Sequence, residues 1–265
     1  MPRRRAISRC TVIATLQSPI ARLLGIAPAR VLVDHVGLNH LTWVRRVLVD
    51  GKDRLPDILE DHGDALAAHA GLPLRLLEEL GAIPSSYLRY FYAHDAVFAE
   101  QRDGVPRAAA VAEIEARLLE IYRDAEVAEK PVLLEQRGGA FYSEAATALI
   151  ASLSAGTGDV QVVDVRNGGV VAGLAGDDVV ELPARIGHAG AEPLPQAPLA
   201  PELLGLVQHV AAYERLTAEA AVTRDPTSAR KALLTHPLIG QDDLSGTLLA
   251  SLLAEEPLSL VGAGR

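Results

Sequence analysis

VLVDHVGLNHLTWVRRVLVD, residues 31–50, is the stretch from which the fold is read. Apolar residues alternate on the way in, at Val31 and Val33, and on the way out, at Val47 and Val49. That period of two marks each arm as a strand of an antiparallel sheet with one buried face. Asp50-Gly51 follows with the chemistry of a tight hairpin turn. Between the arms, Gly37, Asn39, His40 and the only tryptophan, Trp43, fall close together. Packing alone does not require that mixture. A glycine lets a backbone or ligand approach closely, an amide both donates and accepts, and a neutral imidazole can ligate a metal. The segment is therefore the leading site candidate.

Upstream, Ala6-Ile7 and Thr11 to Leu16 read as a strand and its exit, and Ser18-Pro19 as an N-cap followed by a first-turn proline, with Gly25 closing a short helix. Downstream, a helix is expected over 53–70, with Gly63 as a point of interruption, and another over 74–80, stopped by Gly81. Residues 83–92, IPSSYLRYFY, carry three of the six tyrosines. Tyr87, Tyr90 and Phe91 stand at i, i+3 and i+4, the spacing of an aromatic packing face on one helix. Pro106 opens the clearest helix, with Val111, Ile114, Leu118, Ile121 and Tyr122 on one side. Arg107 lies in its first turn, where the helix dipole disfavours a cation but where an arginine is well placed to grip a phosphate.

Farther on, 136–139 reads as a loop, Ser143 as the cap of a helix to about Leu153, and Val160 to Val165 as a strand paired with Val179 to Ile186. The proline-rich run 187–201 reads as a loop, and helices are expected over 202–222, 227–234 and 242–253. Strands and helices in this order make an α+β protein.

Composition narrows the function. A net charge of −9 argues against a general nucleic-acid or anionic-membrane partner. No apolar run approaches the roughly 20 residues of a membrane span, and the first residues lack a signal-peptide layout, so a cytoplasmic protein is expected. One cysteine, Cys10, excludes an internal disulfide; alone it reads as a small buried hydrophobe unless something pairs it with His40. Gly156-Thr157-Gly158 lacks the third glycine of a dinucleotide fingerprint and precedes a strand. Carboxylates are plentiful, but no spacing singles out an acid/base pair. His62, His69, His188, His209 and His236 read as surface or helix-end residues.

Taken together, VGLNHLTWVRRVLVDG (36–51), IPSSYLRYFY (83–92), PRAAAVAEIEARLLEIYRD (106–124), LEQRGGAFYSEAA (134–146), VRNGGVVAGLAGDDVVELPARI (165–186) and HVAAYERLTAEAAV (209–222) resemble family 4 glycoside hydrolases, particularly their 6-phospho-β-glucosidase branch. The six pieces occur in the family's order. The resemblance implies a lactate-dehydrogenase-C-terminal-like domain, a twisted and mostly antiparallel sheet with packed helices, over residues 31–258. Residues 1–30 would be the end of a nucleotide-binding domain and 259–265 a frayed tail.

The resemblance also implies a redox route in place of the two-carboxylate mechanism. Bound NAD takes hydride from C3 of the sugar, a tyrosine removes the C2 proton, the C1 substituent leaves, water adds and hydride returns, with Mn²⁺ or another divalent metal polarising the C3 oxygen. By position, His40 and Cys10 match the metal ligands, Tyr87 the base with Tyr90 one turn behind it, and Arg107 and Asn39 the contacts to a 6-phospho-sugar. Two departures stand out. Thr11 occupies the place of an asparagine after the cysteine, and the family's nucleotide-binding half is not in the sequence. The chain by itself is accordingly expected to be inactive, and to form a homodimer or homotetramer. The competing expectations are a non-catalytic sugar-phosphate-binding remnant and an α-specific member of the family.

Overall fold

The computed structural model describes residues 13–137 and 142–255. They fall into two compact units, one holding the described residues up to Val165 together with Val180–Leu194, the other Arg166–Val179 with the described residues from Pro195.

The first unit is built on the expected hairpin. Helix α1 (Ile13–Leu23) leads into β1 (Val31–Leu38), which turns through Asn39 and His40 into β2 (Leu41–Val49) and then through Asp50-Gly51 into β3 (Lys52–Asp53). Helices α2 (Leu55–Ala70) and α3 (Leu74–Leu80) follow, then β4 (Ile83–Pro84), a 3-10 turn over Ser86–Leu88, and helices α4 (Arg89–Tyr92), α5 (His94–Asp103), α6 (Arg107–Tyr122), α7 (Leu134–Arg137) and α8 (Tyr142–Ala155). Strands β5 (Val160–Arg166), β6 (Val179–Gly187) and β7 (Gly190–Pro193) complete the sheet. Its order is β3-β2-β1-β6-β5, with β4 and β7 added beside β2 and β6, and the pairings in register are antiparallel. The α+β class and the antiparallel character read from residues 31–50 are those observed.

Alternation places Val31, Val33, Val44 and Val47 against Leu16 and Ile20 of α1 and Leu55, Ile58, Leu59 and Leu66 of α2. At ~1.5–3 kcal/mol per fully buried side chain, this shared core fixes the β1–β2 register. Between Asp34 and His35 the register shifts by one residue, with Arg45 as the extra residue on β2. The bulge lets Asp34 take hydrogen bonds from both Arg45 and Arg46.

Several expectations fail for identifiable reasons. Residues 13–16 are helical, not the exit of a strand, and Pro19 lies inside α1 rather than at its first turn. A mid-helix proline loses a backbone hydrogen bond, but Leu16, Ile20 and Ala21 bury one face of the helix and hold it together. Gly63 does not interrupt α2: a Cβ there would lie 2.5 Å from Leu74, so the glycine is what lets α3 close on α2. Gln136 and Arg137 belong to α7 rather than to a loop, and α8 begins at Tyr142, one residue ahead of the expected cap. The 187–201 loop contains β7, whose Pro193 pairs with Ala184 at the strand's end, where a missing N–H is tolerated.

The aromatic segment also departs from one packed helix. Tyr87 falls in the 3-10 turn and Tyr90 and Phe91 in the single turn of α4, so the three do not share a helix face; all are exposed, while Leu88 between them turns fully inward.

In the second unit, helices α9 (Pro201–Thr223), α10 (Pro226–Thr235) and α11 (Asp242–Glu255) pack in sequence, matching the three helices expected. Asp225 caps α10 by accepting from Thr227 N and Ser228 N. The connection leading to β6 is knitted by Asn167, whose buried amide donates to the carbonyls of Val171, Leu174 and Ala175 and accepts from Val171 N. Arg215 of α9 pairs with Asp178, holding that connection from its far end. Among the described residues no helix is long and apolar enough to cross a membrane.

Candidate active site

Two pieces of backbone converge on the Asn39-His40 turn. The first is the hairpin itself. Gly37 has φ +155, and a Cβ there would fall 2.0 Å from the carbonyl oxygen of Leu41. Only glycine permits the two strands to close so tightly at this end. His40 follows at φ +67, a left-handed position where turns favour glycine or asparagine. A histidine held there costs local backbone strain, and such strain concentrates at functional sites.

The second piece is β4. Ile83 pairs with Val44 and Pro84 with Trp43, and Ser85 N donates to Thr42 O at 2.8 Å. This pairing lays the chain alongside the turn. Ser85 Oγ then accepts from Tyr87 N at 3.3 Å, and Leu88, fully buried, anchors the short 3-10 turn. The result sets the Tyr87 ring 4.3 Å from the His40 ring, centroid to centroid, tilted by 56°. Tyr87 is 48% exposed, so its phenol stays reachable from solvent. The two expected site residues nearest each other in role are thus in contact, 47 positions apart in sequence.

Asn39 faces the other way. Its amide nitrogen donates to Glu181 Oε2 at 3.3 Å and to Asp164 Oδ2 at 3.4 Å. Both amide hydrogens are thereby used, leaving its oxygen to offer a ligand. Glu181 Oε1 lies 2.8 Å from His35 Nε2. Glu181, Asp164 and His35 are buried, on β6, β5 and β1 respectively.

Tyr90 and Arg107 make other contacts. Tyr90 receives the Arg89 guanidinium over its ring at 5.8 Å. Among the described residues the hydrogen bonds of Arg107 go to the carbonyls of Gln136 and Arg137, at 2.9 and 3.1 Å. The cation that is misplaced for the dipole of α6 therefore has acceptors in two carbonyls of α7. Cys10 lies outside the described residues.

As a metal site, the described residues supply one well-held imidazole. No group of three or more His, Cys, Asp or Glu side chains positioned for a metal ion occurs among them. His40 is the expected metal ligand that lies among the described residues, and an imidazole nitrogen is a suitable donor for a divalent transition metal. The Gly156-Thr157-Gly158 segment runs from α8 into β5, so no strand-to-helix cradle for a dinucleotide forms there.

The buried partners below the turn were not singled out from sequence. Their only signal is an acid inside each of two apolar strand runs, Asp164 in VQVVDVR and Glu181 in VVELPARI, and the adjacent pair Asp34-His35 in β1.

Comparison with known proteins places this geometry in a lineage. The profile of the family 4 glycosyl hydrolase C-terminal domain matches residues 35–239. The chain is 32% identical over 262 residues to a probable 6-phospho-beta-glucosidase of Bacillus subtilis, covering 94% of this chain and 59% of that protein. It is 33% identical over 234 residues to a 6-phospho-beta-glucosidase of Thermotoga maritima, covering 88% and 56%. A solved structure of the Thermotoga maritima 6-phospho-beta glucosidase with manganese, NAD⁺ and glucose-6-phosphate superposes with a TM-score of 0.87 at 32% identity, over 94% of this chain and 60% of that one. A 6-phospho-alpha-glucosidase from gut microorganisms, in complex with NAD and Mn²⁺, shares the fold at a TM-score of 0.78 and 20% identity, over 92% of this chain and 58% of that one. The chain thus spans less than two thirds of the length of these relatives. What it does contain belongs to the glycosyl hydrolases of family 4, as their C-terminal domain.

Proposed function

We propose that this chain forms the substrate-binding and metal-holding side of a cytoplasmic family 4 glycosidase that hydrolyses 6-phospho-β-glucosides, with residues 31–258 as the substrate and oligomerisation domain. The observation that carries the reading is the contact between His40 and Tyr87 at 4.3 Å, built by two separate strand pairings. Support comes also from the relatives, which are 6-phospho-beta-glucosidases at 32–33% identity.

In this reading His40 and Cys10 hold a divalent cation, which supplies Lewis acidity toward the oxygens of the sugar. The chain's own residues do the rest. The Tyr87 oxygen, exposed beside His40, removes the C2 proton from a sugar made acidic at that carbon by oxidation at C3. The electron pair left at C2 forms the C1–C2 double bond as the C1 substituent departs. The oxygen of Asn39 accepts from a sugar hydroxyl, and Arg107 binds the 6-phosphate, exchanging its contacts to the α7 carbonyls for a charge-assisted pair. The hydride chemistry is that of NAD, and no residue described here is assigned to it. Exposed Leu119 and Tyr122 on α6, with Val132, support self-association as a homodimer or homotetramer.

The test is hydrolysis of an aryl 6-phospho-β-glucoside with Mn²⁺, NAD⁺ and reductant, alongside direct Mn²⁺ and glucose 6-phosphate titrations of the chain. Metal and sugar-phosphate binding are expected from the chain itself, and turnover when a nucleotide-binding half is supplied. Binding that never leads to turnover in that assembled form points to a non-catalytic remnant. Absence of both kinds of binding sinks the reading.

A further inference from the structure

Three buried side chains beneath the Asn39-His40 turn have no part in the chemistry above. Glu181 and His35 are 1% and 0% exposed. Glu181 Oε1 meets His35 Nε2 at 2.8 Å, Oε2 accepts from Asn39 Nδ2 at 3.3 Å, and Asp164 Oδ2 accepts from the same nitrogen at 3.4 Å. Burying two acids beside one imidazole carries a desolvation penalty that apolar residues of similar size would avoid. A sheet needing only stability has no use for them. A carboxylate only accepts hydrogen bonds, so each of its two oxygens calls for a donor from its neighbour.

What this cluster does grip is the turn. Asn39 is the residue before His40, whose left-handed backbone is strained. Both hydrogens of its amide are anchored, one to β5 and one to β6, and Gly37 on β1 sits directly opposite Glu181 across the sheet. We propose that Glu181, Asp164 and His35 are positioning residues: they clamp the Asn39 amide, and through it hold the His40 imidazole against Tyr87 before any cation arrives. The proposal rests on the reading of His40 as a metal ligand, but the preorganisation it describes belongs to the metal-free chain. The two oxygens of Glu181 serve two donors at once. A carboxamide has one accepting oxygen, so Glu181→Gln either sets its NH₂ against the Asn39 NH₂ or makes His35 take its other tautomer to receive it. Asp164→Asn is milder, because its oxygen can still face Asn39.

The experiment uses the full 265-residue chain with isotope-labelled histidine and tyrosine rings. Without metal, the unsubstituted protein is expected to show a His40–Tyr87 ring-to-ring NOE. In Glu181→Gln that NOE disappears while the overall circular dichroism is retained, and in Asp164→Asn it weakens. Titration of free Mn²⁺ by its EPR signal, well below the unfolding temperature, is expected to show affinity ~10–100-fold lower in Glu181→Gln and a smaller loss in Asp164→Asn. Should Glu181→Gln fail to fold, Asp164→Asn decides by the same two readings. An NOE and Mn²⁺ affinity unchanged in the folded variants, with only a lower melting temperature, overturns the proposal. An NOE lost on substitution in a chain that never binds Mn²⁺ supports the clamp and overturns the metal assignment instead.

Discussion

Strand β2 begins and ends in a two-residue turn, and the two turns are built on opposite principles. Asp50-Gly51 takes the residues that turn geometry asks for, with positive φ at both positions and nothing within 4 Å of where a glycine Cβ would be. It is exposed and paired to Arg30 through both carboxylate oxygens. Asn39-His40 puts an imidazole where a glycine or asparagine would be easier, flanks it with a glycine whose Cβ has no room, and anchors it underneath by buried acids. One turn only connects strands. The other presents a side chain, and its local strain is offset by contacts from three strands. A turn that ignores the preferences of its own geometry, beside one that obeys them, is a marker of function readable before any ligand is known.

The comparison is sharpest at Tyr87. If the Asn39-His40 turn exists to present a reactive pair, Tyr87→Phe keeps the ring contact and removes only the oxygen. Turnover in the assembled enzyme is then expected to fall ~10²–10⁴-fold with Mn²⁺ affinity unchanged, as steady-state kinetics and EPR titration would reveal. His40→Ala should weaken Mn²⁺ binding by more than the ~100-fold upper range for losing a supporting hydrogen bond, with a stability loss of ~1 kcal/mol, since alanine keeps the Cβ that a left-handed backbone opposes and loses only the ring contact to Tyr87. A large stability loss without an affinity change would make that turn as purely structural as its neighbour.

The glycines give a matched pair. Gly37→Ala drives a methyl into the Leu41 carbonyl and is expected to cost ~3 kcal/mol in urea unfolding. Gly51→Ala meets only the backbone penalty of a positive φ, ~1 kcal/mol. Equal costs would erase the contrast. The smallest effect belongs to Arg30 and Asp50. The hydrogen bond from Arg30, opposed by desolvation and helped least by the guanidinium charge, holds the Asp50 carboxyl below its usual range. A depressed carboxylate stabilises the fold above its unfolded-state value of ~3.9 and loses that contribution as pH falls through the folded-state value. Unfolding curves of the natural chain and Arg30→Gln should therefore differ slightly near neutrality and converge in acid.

How much of this was legible beforehand follows from what kind of signal each feature leaves. The hairpin, α2, α3 and the three closing helices are written in periodicity and punctuation, which are local. Asn39 and His40 stood out because they break a local rule. The His40–Tyr87 contact came through family resemblance, since β4 is only two residues long and too short to show a period. Glu181 and His35 are 146 positions apart, and nothing in spacing links them; only tertiary pairing of β1 with β6 does. Pro19 misled because a proline usually starts a helix, and here burial of the surrounding face outweighs its cost. The aromatics of 83–92 misled because a helical spacing was assumed across a segment that changes from strand to 3-10 turn to helix within ten residues.

Asn167 has a chemical consequence beyond holding its connection. It precedes Gly168, and an asparagine followed by glycine is the pair most prone to spontaneous deamidation, when the next backbone nitrogen attacks the side-chain amide to close a succinimide. Here the asparagine is fully buried, its amide is committed to three carbonyls, and the nitrogen that would attack donates instead to Gly176 O at 2.9 Å. The reaction is shut off while the connection keeps its shape and opens when it is lost. Isoaspartate at this position would therefore accumulate as a chemical record of how often that connection has come undone.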